Sequence, residues 1–194
     1  MGPLQTQLES LDRKATVKEI VLIKEAIVGF ALRNGRIPCP DTGSDGVEDI
    51  SSGSCANAEG MLPWATLGVG RLDGWKRPFT YRVDTRFADT EDGSGCADDD
   101  VAGMSFEMCS TGDISVLDSK GGNTVASGAP AVIISHGKNW PQTAGNDEGE
   151  NQDSDVEFVD KTYASGGSNN YDDIIDWVNM NNLIANMVAA EKLP

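Results

Sequence analysis

Residues 4–34 contain no proline and one glycine, Gly29, and this unbroken stretch constrains the chain more than any other feature. Its spacing predicts a single helix of about 30 residues, roughly 45 Å long at 1.5 Å per residue. The two halves differ. Leu4, Leu8, Leu11 and Ala15 recur at intervals of three and four and form a narrow stripe, enough for one partner but not for burial. From Ile20 the apolar surface widens, with Ile20, Ile23, Ile27, Phe30 and Ala31 on one side and Val21, Val28 and Leu32 on another. Asn34-Gly35 supplies a left-handed stop, and Pro38 prevents a restart. The helix is therefore expected to pack along its C-terminal half and to project at its start.

The rest of the chain reads as strands. Phe79–Val83 alternates with period two, Met104–Met108 does so less clearly, and Ile114–Leu117 follows. Ala131–Ser135 is the most apolar run and is expected to be central, with Val156–Val159 a short edge. Tyr171–Val178 fits a strand or a helical turn, and Leu183–Ala190 a final helix. One helix, a loop region over 35–74 and then strands joined by turns make an α+β chain with an antiparallel sheet, not a βαβ succession. Residues 1–36 form the helix and residues 37–194 the head of one domain.

Charge narrows the function. The 194 residues carry a net charge of -16, divided into +2 over residues 1–36 and -18 over residues 37–194. Phosphate-backbone binding is disfavoured by such an excess of anions, so nucleic acid is not an expected partner. No run approaches the roughly 18 apolar residues that span a bilayer, and Met1-Gly2-Pro3 leads straight into a polar helix rather than a signal peptide. The sequence as it stands reads as soluble.

Four cysteines fall in two local pairs, Cys39 with Cys55 and Cys96 with Cys109. No Cys-x-x-Cys occurs, and a single His136 leaves a zinc site short of ligands. Because all four sit beside Gly, Asp and Ser, disulfides in an oxidising compartment are favoured over four reduced thiols. Each bridge would close a short loop and contribute about 2–4 kcal/mol. The 41–49 segment, with Asp41, Asp45 and Asp49, partly matches a calcium loop, although Gly43 and Ser52 stand where ligands are expected. Its other reading is a solvated turn. A second acidic cluster comprises Asp147, Glu148, Glu150, Asn151, Asp153 and Asp155.

Several motifs, in order, resemble one family. A long amphipathic helix, a disulfide-held loop and a meander is the plan of type IV pilins. Asp73-Gly74-Trp75-Lys76-Arg77-Pro78-Phe79-Thr80-Tyr81 resembles the Asp-Pro-Trp-Gly-x-Pro-Tyr-x-Tyr signature of the major pseudopilins of type II secretion systems. Ser135-His136-Gly137-Lys138-Asn139 is similar to their Ser-Leu-Gly-x-Asp, and Asp172-Asp173-Ile174-Ile175-Asp176-Trp177 to their closing Ala-Asp-Ile-x-x-Trp. Arg36-Ile37-Pro38-Cys39-Pro40 and Leu62-Pro63-Trp64 resemble motifs of a group of proteobacterial pilin-like proteins. Gly74 stands for the family's Pro and Lys76 for its Gly, so this turn is expected to be built differently.

The resemblance implies a pilin fold, the helix packed on an antiparallel sheet. It implies a structural subunit of a secretion pseudopilus or pilus-like fibre, with other subunits as partners and Leu4, Leu8, Leu11 and Ala15 on the assembly face. Anchoring in the inner membrane would come from an apolar segment preceding this sequence, with the head periplasmic or extracellular. It also implies calcium, held in the late loop by Ser135, Asp172, Asp173 and members of the acidic cluster such as Asp153 and Asp155. Enzymatic function finds no support. There is no nucleophile elbow, Walker loop or metal-binding His pair, and Gly68-Val69-Gly70 with Gly74 misses the dinucleotide spacing. The competing reading is a secreted calcium-dependent binding module or adhesin, and Trp140, in a polar loop beside the acidic cluster, is the tryptophan expected at a partner surface.

Overall fold

A computed structural model describes residues 3–90, 103–141, 147–164 and 170–193, with side chains from residue 5 onward. Cys96 and the Leu4 side chain lie outside the described residues. Helix α1 runs Pro3–Asn34, and Gly35 ends it at φ 73 with its N–H bonded to the Ala31 carbonyl at 2.8 Å. The strands are β1 Ile50–Ser51, β2 Ser54–Cys55, β3 Glu59–Met61, β4 Thr80–Val83, β5 Ile114–Leu117, β6 Thr124–Ala129, β7 Ala131–Ser135, β8 Glu157–Val159 and β9 Ile174–Trp177. Between them lie the short helices α2 Trp64–Leu67 and α3 Asp147–Glu150, and α4 Met180–Ala189 follows. The chain is α+β.

The principal sheet has the order β3-β4-β7-β9, all antiparallel, with β7 inside. Every residue of β7 is buried, because both of its sides are covered. Ala131 and Ile133 join Tyr81, Val83, Leu183, Met187 and the Ile20, Ile23, Ile27 and Ala31 side of α1 in one core. Val132 and Ile134 point the other way, onto Ile114, Ala129 and Phe158 of the second sheet, β6-β5-β8. The layers are helix, sheet, sheet. The wide half of α1 is thus part of the same core as the head, whereas Leu8 and Leu11 at its start are 52% and 60% exposed.

Three strand expectations change. Residues 104–108 form no strand: Met104 and Phe106 are buried, but the Ser105 N–H bonds the Gly35 carbonyl rather than a ladder. Met104 to Glu107 are buried without alternation, as a loop laid across the end of α1. Strand β6 escaped notice because Thr-Val-Ala-Ser-Gly-Ala carries almost no buried apolar side. The second sheet is not wholly antiparallel, since β5 and β8 pair in parallel.

The first disulfide is Cys39–Cys55, which ties the loop after α1 to β2. Cys109 is also disulfide-bonded. The turn over 73–77 is closed from within, by Asp73 N–H to Arg77 O at 2.8 Å and Arg77 N–H to Asp73 Oδ1 at 2.9 Å. Lys76 takes the left-handed conformation, φ 66, where the resembling family has glycine. A side chain there costs about 1 kcal/mol, so Lys76→Gly is expected to raise the melting temperature by about 2–4 °C. Calorimetry checks this, and an unchanged or lower midpoint would show that the lysine side chain compensates for its backbone.

Candidate metal centre

Two loops and a one-turn helix bring three carboxylates together inside the protein. The chain enters β9 through Asp172 and Asp173, 4% and 3% exposed, and α3 carries Glu148, 0% exposed, inward to meet them. One oxygen from each of the three lies within 4.8 Å of the others. Neighbouring groups fix each carboxylate on one side. Asp172 Oδ2 accepts from the Lys138 and Asn139 N–H groups at 2.9 and 3.2 Å, and Glu148 Oε1 accepts from the Asp172 N–H at 2.7 Å. Asn139 Nδ2 also donates to Glu148, and Asn151 Nδ2 donates to Asp173 Oδ2 at 2.8 Å.

Two oxygens of the trio have no partner among the described residues. Asp172 Oδ1 and Asp173 Oδ1 are buried without a hydrogen-bond partner, a condition that costs a buried charged group several kcal/mol. The contrast within α3 is informative. Asp147 pairs with Lys161 at 2.5 Å and Glu150 pairs with Lys120, whereas among the described residues Glu148 has no Lys or Arg partner. His136 Nδ1 lies 3.9 Å from Asp173 Oδ2. A hard cation with oxygen ligands at 2.3–2.6 Å places opposed ligands about 4.6–5.2 Å apart, so the observed spacing fits one ion.

Burial and the neighbouring charges of Asp173 and Asp172 push Glu148 up to about 7 from 4.5, and burial likewise raises Asp172. The metal-free site therefore tends to hold a proton. Since the folded value lies above the unfolded one, this group's stabilisation is complete below pH 4.5 and is lost as pH rises to about 7. The loss is on the order of 3 kcal/mol. Melting in chelator at pH 5 and pH 7.5 is expected to show a fall that Glu148→Gln flattens. Equal slopes in both proteins would locate the pH dependence elsewhere.

The other expected ligands are placed differently. Ser135 Oγ donates to Asp73 Oδ2 at 2.6 Å, so its hydroxyl is committed to the 73–77 turn. Asp153 and Asp155 do not reach Asp172 or Asp173; they group with Glu150, and Asp155 caps the Glu157 N–H at 2.7 Å. In the 41–49 loop, Asp41 accepts from the Ser44 and Gly46 N–H groups, Asp45 from Val47, and Asp49 from Thr42 and Gly43. Those hydrogen bonds, led by the Thr42 hydroxyl, hold Asp49 below the usual carboxylate range. The three aspartates of the loop thus accept hydrogen bonds from within it. Glu148 was visible in the sequence only as one of a crowd; its distinction is the missing lysine, which only the fold reveals.

Compared with protein-family models, curated proteins and solved structures, the chain matches none. No helix among the described residues is long and apolar enough to cross a membrane.

Proposed function

We propose that this chain is the head and helical stalk of a structural subunit in a pilus-like fibre, nearest in its motifs to the pseudopilins of type II secretion. The observation that carries this reading is the division of α1. Ile23 and Ile27 are fully buried in the head, while Leu8, Leu11 and Leu22 remain 52%, 60% and 44% exposed along the outer side. A helix so divided is suited to bury its outer side against other copies. In the same reading, an apolar segment upstream anchors the subunit in the inner membrane before assembly. Calcium occupies the Glu148–Asp172–Asp173 site, where it compensates three buried charges and fastens α3 to the start of β9. The role is structural, not enzymatic.

In cells that assemble the fibre, Leu11→Asp in the full-length protein is expected to leave the head folded and to lower its recovery in sheared fibres at least about tenfold, because a charge would be buried between subunits. Recovery equal to the unaltered protein would remove the fibre reading. The secreted binding module then becomes the better account, resting on the metal centre alone.

A further inference from the structure

We propose that the end of the molecule from which α1 projects binds the headgroup surface of an anionic phospholipid bilayer. This contact is separate from any spanning segment and is shared by α1 and the head. Four segments meet at that end. The loop 70–77 lies against α1, where the Gly74 N–H bonds Thr16 Oγ1 at 2.9 Å and the Gly70 N–H bonds Glu19 at 2.7 Å. The Arg77 guanidinium donates to the Trp140 and Lys138 carbonyls, which joins this loop to the 138–140 turn. Lys138 Nζ in turn lies 3.8 Å from Glu9, and the Tyr163 hydroxyl bonds Glu9 on the other side.

The charge of this end runs against that of the chain. Arg13, Lys14, Arg71, Lys76, Arg77 and Lys138 belong to these segments, opposed by Glu9, Asp12, Glu19 and Asp73, with the buried Glu148, Asp172 and Asp173 beneath the 138–140 turn. Asp73 is buried and Glu9 is already shared by Lys138 and Tyr163. Lys14, Arg71, Lys76 and Lys138 are exposed whereas the acids among them are half-buried or buried, so cations dominate the solvent side of this end. Exposed apolar groups are interleaved with the cations: Trp140 is 47% exposed, Leu72 40%, and Leu11 60%. Basic side chains around a tryptophan and leucines match the bilayer interface, where lysine and arginine meet anionic headgroups and indole sits at their level.

One feature provides for a headgroup individually. A groove of about 570 Å3 runs between α1 and Tyr163, lined by Thr6, Glu9, Ser10, Arg13 and Lys14 among others, with Glu9 engaged by Lys138 and Tyr163. The Arg13 guanidinium stacks 4.4 Å from the Tyr163 ring centroid, and its Nη1 is buried without a hydrogen-bond partner among the described residues. A phosphate entering beside the Thr6 and Ser10 hydroxyls would supply that acceptor.

The test is cosedimentation of the 194-residue chain with sucrose-loaded vesicles, in low salt with chelator so that calcium does not bridge carboxylates to lipid. Vesicles of phosphatidylcholine with phosphatidylglycerol are expected to pellet the chain, and phosphatidylcholine alone is not. The triple variant Lys14→Glu, Arg71→Glu, Lys76→Glu should lose binding by about a hundredfold, whereas Lys192→Glu, beyond α4, should retain it. Circular dichroism confirms that both variants are folded. Equal pelleting with both lipids, no pelleting with either, or retention by the folded triple variant overturns the proposal. So does self-association without lipid that the triple variant abolishes, since the surface would then be a contact between copies.

Discussion

Asp173→Asn is expected to raise the melting temperature of the chain in chelator and to abolish most of the rise that calcium gives the unaltered protein. The substitution keeps an acceptor at the position that Asn151 Nδ2 contacts at 2.8 Å, so the local packing persists. It removes one of three carboxylates clustered within 4.8 Å and takes away the partnerless Asp173 Oδ1 charge. Relief of an uncompensated buried charge is worth about 1–3 kcal/mol, or about 2–12 °C for a chain of this length. In the unaltered protein, calcium at about a hundredfold its dissociation constant adds about 2.7 kcal/mol, roughly 5–10 °C. The two effects have opposite signs in one residue. Should Asp173→Asn melt lower in chelator and still respond fully to calcium, the trio would be a structural network that binds no metal.

Gly74→Ala is expected to destabilise the protein by about 3 kcal/mol, lowering the midpoint by about 6–12 °C. A Cβ at this position would sit 2.2 Å from the Asp12 carbonyl oxygen and 2.7 Å from its Cα, both rigid backbone of α1. The loop would have to retreat, and with it the Gly74 N–H bond to the buried Thr16 hydroxyl. Thr16 Oγ1 itself donates to Asp12 O, so helix and loop share one hydrogen-bond chain. Denaturant melts of Gly74→Ala beside Gly68→Ala separate contact from conformation. Gly68 is left-handed at φ 71 with open space around it, so its cost should be only about 1 kcal/mol. Equal losses in the two variants would mean that the close approach to α1 carries no weight.

The helix was legible because its signals are local: no internal proline, a widening apolar stripe and Asn34-Gly35 at its end. Strand β7 was legible for a related reason, since an unbroken Ala-Val-Ile-Ile run needs cover on both sides. Polar β6 and the parallel pairing of β5 with β8 were not, because they depend on what lies opposite rather than on their own residues. The carboxylate trio shows the same limit. Asp172 and Asp173 stood out at the start of the last strand, but the choice of Glu148 over Asp153 or Asp155 is made by the turn of α3 and by where Lys120 and Lys161 reach. Conversely, Asp41, Asp45 and Asp49 looked like ligands by spacing and are spent on their own backbone.

The clamp at Gly70 and Gly74 also decides how the molecule bears force. A pull along α1 from its projecting end is resisted first where Tyr163 and Lys138 meet Glu9 and Arg13, next at Thr16 and Glu19, where the 70–74 loop grips the helix, and then by the Ile20–Ala31 contacts. The helix and the grip are loaded in shear, so several contacts must yield together before the stalk can slide. The Cys39–Cys55 bond secures the segment that follows the helix, so tension that passes Gly35 meets a covalent stop before it reaches β3. Such an element transmits load into the principal sheet as a unit rather than unravelling from one end.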